Sequence, residues 1–156
     1  MKGVVMHLLI VEDNSFNANC LQRLLETVSN DLKINLVNNS TEASSMIKSN
    51  PPDCIILDGD LGVTDGLNCH GPALAEVIWQ HYPHMHIIAW TDSEAMRQAF
   101  KAVYNLHGKS FNEYCCWPKI VSQERLHKSM AYFNQQFHSV RKNPVAEDVF
   151  YLNTIG

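Results

Sequence analysis

Three short runs of nearly uninterrupted apolar residues constrain this chain more than any other feature. They are MHLLIV (Met6 to Val11), CIIL (Cys54 to Leu57) and MHIIAW (Met85 to Trp90). A strand with one wet face alternates polar and apolar side chains. A continuous run is what a strand buried on both faces needs, and that burial is typical of parallel sheets. Ile34 to Val37 and Tyr114 to Trp117 supply two further short strands.

The intervening segments switch to helical spacing. Asn14-Ser15 can cap a helix with Phe16, Cys20, Leu21, Leu24, Leu25 and Val28 on its inner face. Ser40 or Thr41 caps a second, with Glu42 in its first turn and Ala43, Met46 and Ile47 inward, stopped by Pro51-Pro52. Pro72 suits the first turn of a third helix running to Tyr82 before Pro83. Asp92 or Ser93 caps a fourth through Tyr104. The last runs from about Ser122 to Arg141 with Leu126, Met130, Phe133 and Phe137 inward. Five strand–helix units in succession imply a parallel sheet with helices on both faces. The expected organisation is one domain over residues 1–142 and a tail over 143–156, with no output domain.

Composition narrows the function classes. A formal charge of −4 and no run of Lys or Arg argue against a DNA-binding surface. The apolar start is too short for a membrane span and lacks a cleavage site, so a cytoplasmic location is expected. Cys20, Cys54, Cys69, Cys115 and Cys116 form no CxxC pair, and read as reduced, small apolar residues. His81, His84 and His86 lack a Cys or acidic partner at zinc-site spacing.

In open α/β sheets, ligands gather beyond the carboxyl ends of the strands. Glu12-Asp13 follows the first strand, Asp58 the third and Thr91 the fourth. Carboxylates brought this close repel one another unless a cation sits among them, and a hard divalent ion such as Mg²⁺ suits oxygen donors. With the metal bound, one carboxylate can serve as a nucleophile towards phosphorus.

At this point the chain resembles the receiver domain of bacterial two-component response regulators, over about residues 6 to 140. LLIVEDN (Leu8 to Asn14) resembles the first strand with its acidic pair. PDCIILDGDLGVTDG (Pro52 to Gly66) resembles the phosphoacceptor strand and loop, and IIAWT (Ile87 to Thr91) the fourth strand with its hydroxyl. The resemblance implies an α/β, flavodoxin-like (βα)5 three-layer sandwich around a five-stranded parallel sheet. It makes Asp58 the phosphoacceptor for a histidine kinase or phosphotransfer protein. Asp13, Asp58 and the backbone carbonyl of Asp60 would bind Mg²⁺, with Glu12 acting through water. Thr91 and Tyr114 would be the switch pair. The fourth helix, fifth strand and fifth helix would form the readout surface for a downstream protein or a homodimer.

Several positions depart from the family pattern. Trp117 precedes Pro118 where the family has lysine, and an indole cannot supply that charge. Lys109 and Lys119 are the nearest substitutes, but their spacing gives no reason to expect either in the pocket. If Trp117 fills the lysine's space, it is an apolar lid over part of the pocket. Gly62 replaces the customary proline of the loop, which removes rigidity. Asp92 follows Thr91 where a small residue is usual, and would narrow access. His70 is brought near the pocket mouth, but reads best as a surface-loop histidine.

These departures leave a phosphoacceptor and a phosphorylation-independent pseudo-receiver both open. A more remote alternative is a haloacid-dehalogenase-like phosphatase, which Asp58-Gly59-Asp60 also resembles. There Asp58 would be nucleophile, Asp60 general acid, Thr91 the second hydroxyl, and Lys109 or Lys119 the cation.

Overall fold

A computed structural model describes residues 5–62 and 70–142, with side chains described as far as Gln136. Five strands alternate with five helices: β1 (Met6–Val11), α1 (Ser15–Val28), β2 (Leu32–Val37), α2 (Ser40–Ser49), β3 (Cys54–Asp58), α3 (Gly71–His81), β4 (His86–Trp90), α4 (Glu94–Leu106), β5 (Cys116–Trp117) and α5 (Gln123–Lys142). The strands form one parallel sheet in the order β2-β1-β3-β4-β5. The expected (βα)5 sandwich is therefore present.

The uninterrupted apolar runs do what their pattern requires. Alternate residues of β1, β3 and β4 feed two cores on opposite faces of the sheet. Leu9, Val11, Ile55, Leu57 and Ala89 pack with residues of α2, α3 and α4. Leu8, Ile10, Ile56, Ile88, Trp90 and Trp117 pack with Ala18, Leu21 and Leu25 of α1 and Leu126, Met130 and Phe133 of α5.

Local details differ from the sequence expectations for identifiable reasons. Phe16 is 76% exposed and Cys20 is also exposed. At 100° per residue they lie across the helix from Ala18 and Leu25, which take the inner face. The cap of α2 is Asn39, not Ser40 or Thr41. Its side chain accepts from Glu42 N at 2.8 Å while Glu42 Oε2 accepts from Asn38 N at 3.0 Å, closing the helix start from both sides. Ser93 caps α4, accepting from Met96 N at 3.2 Å. The fifth strand is only Cys116–Trp117, and Tyr114 lies in the preceding turn. Asp65-Gly66, Cys69, the inward placement of Phe137 and the 143–156 tail fall outside the described residues.

Candidate functional site

The carboxyl ends of β1 and β3 bring Glu12, Asp13 and Asp58 together. One carboxylate oxygen from each lies within 4.8 Å of the other two. Among the described residues this is the group of His, Cys, Asp or Glu side chains close enough to share a metal ion. Asp13 is exposed, whereas Asp58 and Glu12 are buried, at 5% and 1% exposure. Burial and then the neighbouring Asp58 carboxylate push the Glu12 carboxyl up to about 8, against the opposing pull of Lys119. Glu12 Oε1 accepts from Asn17 Nδ2 at 3.2 Å, but Oε2 is buried with no hydrogen-bond partner. An orphaned buried carboxylate oxygen beside two further carboxylates is a donor set that fits a hard divalent cation.

The pocket also contains a cation. Lys119 Nζ lies 2.6 Å from Asp58 Oδ1 and 3.0 Å from Glu12 Oε1. Strand spacing gave no reason to expect either spare lysine here, and it is Lys119 that reaches the carboxylates. Spacing within a strand is a guide only while the chain remains in the strand, and Lys119 lies past the end of β5. Its backbone N–H donates to Asp92 Oδ1 at 2.9 Å, which fixes the turn after Pro118. Asp92 is thus the lysine's anchor; nothing in this contact requires it to obstruct the pocket. Lys109 is held elsewhere, donating to the carbonyl of Pro83 and lying over the Trp79 ring.

Trp117 is not a lid. It is fully buried among the α1 and α5 side chains, and its Nε1–H donates to Ser129 Oγ at 3.0 Å. Thr91 is buried beside Asp58's strand end: its Oγ1 accepts from Ser93 N at 3.1 Å, leaving its own hydroxyl hydrogen to donate. Tyr114, the other expected switch residue, stacks on Tyr132 of α5 with ring centroids 4.7 Å apart.

The loop after Asp58 is shaped by two glycines. Gly62 has φ +73°, a value proline cannot adopt, so here glycine sets a left-handed turn rather than merely loosening the loop. Asp60 is exposed and its Oδ1 accepts from Gly62 N at 3.1 Å, stabilising that turn. Its backbone forms an isolated antiparallel bridge with the exposed His70, pinching the loop at its base. Gly71 then opens α3 directly against the pocket floor. A Cβ there would stand 2.2 Å from the Asp58 carbonyl oxygen and 2.6 Å from Phe100 Cζ. The sequence reading missed Gly71 and Asn17; the only signals available were a glycine at a helix start and an amide one turn beyond an acidic pair.

A family profile described as the response regulator receiver domain matches residues 8–111. The chain belongs to the response-regulator receiver family. The match ends before Trp117 and Lys119. Among solved structures, the signal receiver domain of an HD domain-containing protein from Pseudomonas fluorescens Pf-5 has 20% identity and a TM-score of 0.73, covering 92% of this chain and 96% of that one. A putative response regulator from Chloroflexus aurantiacus J-10-fl has 19% identity and a TM-score of 0.64, covering 83% and 97%. The signal receiver domain of a putative LuxO repressor protein from Vibrio parahaemolyticus has 19% identity and a TM-score of 0.66, covering 85% and 92%. A search of curated proteins gives no match.

Membership makes this a signalling domain of a family that works with kinases or phosphotransfer proteins. Asp60, the general acid of the phosphatase alternative, is exposed and its Oδ1 accepts from Gly62 N. Among the described residues no helix is long and apolar enough to cross a membrane.

Proposed function

We propose that this receiver accepts a phosphoryl group on Asp58 from a phosphohistidine of a histidine kinase or phosphotransfer protein, with Mg²⁺ bound. The observation that carries the reading is the Lys119 ammonium 2.6 Å from Asp58 Oδ1, which supplies the charge that Trp117 lacks. An Asp58 oxygen forms the new O–P bond as the donor's P–N bond breaks and its electron pair returns to the imidazole. Lys119 and the Thr91 hydroxyl are placed to take the charge growing on the phosphoryl oxygens.

Asp13, Asp58 and the Asp60 carbonyl would hold the Mg²⁺, with Glu12 behind them through water. The ion would neutralise phosphoryl oxygens and offset the repulsion among the carboxylates. Output would pass through protein–protein contacts on the α4–β5–α5 face, to a downstream protein or a second copy.

The test is intact mass after incubation with acetyl phosphate and Mg²⁺. Wild type should gain one phosphoryl group, and Asp58→Asn or omission of Mg²⁺ should abolish the gain. No mass gain in wild type would leave the phosphorylation-independent pseudo-receiver as the better reading.

A further inference from the structure

We infer that Trp90 is a positioning residue for Lys119, seating this displaced lysine over the phosphoacceptor. The functional meaning rests on the proposed role of Asp58; the geometry does not. Asp58, Trp90 and Trp117 stand in register across β3, β4 and β5, so their side chains share one face of the sheet. With strands about 4.8 Å apart, position 117 lies roughly 10 Å from Asp58 along that row. The Trp90 indole, 2% exposed, occupies the place between them. A lysine at 117 would have to pass it.

Lys119 comes from beyond the strand end and takes another route. Its Nζ lies 3.9 Å from the centroid of the Trp90 ring while contacting Asp58 and Glu12. Trp90 Nε1–H donates to the Lys119 carbonyl at 3.3 Å. The same residue therefore holds Lys119 at both its main chain and its charged end. Asp92 holds the Lys119 N–H, so the residues on either side of Thr91 together grip the lysine.

A lysine has four rotatable side-chain bonds and loses much freedom when fixed. An indole face that attracts the ammonium reduces the number of places it can rest. Trp90, Asp92 and Lys119 thus form one connected arrangement. Where an indole fills the middle of the row, the cation arrives over it.

The experiment pairs a spectroscopic measurement with a mutant cycle. In wild type, the Lys119 ε-CH₂ protons should resonate upfield of free lysine through the indole ring current. Trp90→Leu should return them to the free position, and Trp90→Phe should keep part of the shift. Unshifted protons in wild type would overturn the inference, whether or not the protein takes up phosphate.

In the rate cycle, Trp90→Leu should slow phosphorylation by acetyl phosphate roughly threefold to tenfold, the scale of one lost cation–π contact, with Trp90→Phe closer to wild type. In a Lys119→Ala background, Trp90→Leu should cost nothing further. An equal loss in both backgrounds would show that Trp90 acts by general packing, and would also overturn the inference. If Trp90→Leu does not fold, the wild-type and Trp90→Phe spectra still decide. If wild type takes up no phosphate, the pocket reading fails while the ring-current shift still reports the seat.

Discussion

Lys119 and Asp58 form a 2.6 Å ion pair although the strand position opposite Asp58 is held by Trp90. The pocket's cation comes from beyond the end of β5. The lysine is about a quarter exposed and Asp58 nearly buried, so this pair is screened less than one at the open surface.

Lys119→Ala should therefore slow phosphorylation of Asp58 by about 10²-fold, the cost typical of losing one preorganised charge-stabilising donor. Lys109→Ala should leave the rate within experimental error, because Lys109 lies at Pro83 and Trp79. Initial rates with acetyl phosphate at fixed Mg²⁺ measure both. A rate for Lys119→Ala equal to wild type would remove the ammonium from the mechanism.

Trp117 should behave as a core residue. Trp117→Ala should cost about 3–5 kcal/mol of folding stability, as expected for emptying a buried indole site. Ser129→Ala strands the Nε1–H and should cost about 1–3 kcal/mol. Urea unfolding midpoints for the two variants check this, and a small loss for Trp117→Ala contradicts the placement.

Gly71 tolerates no side chain. Gly71→Ala sets a methyl group against the Asp58 carbonyl and Phe100, and should destabilise by about 1–3 kcal/mol through overpacking. Gly108, whose added Cβ would meet nothing within 4 Å but whose φ is +67°, is a useful comparison: Gly108→Ala tests backbone strain without a clash. Thermal unfolding should rank Gly71→Ala as the worse of the two.

The raised Glu12 carboxyl gives a pH dependence of defined sign. Between its usual value of 4.5 and about 8, the metal-free folded state keeps a proton that the unfolded chain has released. The folded state binds more protons, so stability falls as pH rises through that window. Glu12→Gln cannot lose this proton, so its stability relative to wild type should increase from pH 5 to pH 8. Saturating Mg²⁺ should reduce the wild-type slope. Denaturant titrations across that range provide the measurement, and parallel slopes for the two proteins would contradict it.

Much of this was legible in order and pattern. The apolar runs of β1, β3 and β4 have to be buried on both faces, and the helical stripes between them have to cover them. Their carboxyl ends then bring Glu12, Asp13, Asp58 and Thr91 to one edge. Those are consequences of local periodicity and chain order, which one sequence carries in full. Phe16 and Cys20 were misplaced because an apolar residue near a helix start satisfies a periodic template without reaching the core.

The identity of the cation was a different kind of question. Strand spacing left Trp117 at the expected lysine position, and the register puts it two strands away from Asp58 with Trp90 between them. Which lysine reaches the carboxylate depends on the path after Pro118, and that path is fixed by Asp92 and Trp90, 27 and 29 residues away in sequence. The sequence alone determined where the acids and the vacant lysine position fall. Only the tertiary structure decided that Lys119 is the lysine that meets Asp58, because the contacts that aim a long side chain come from other strands and loops.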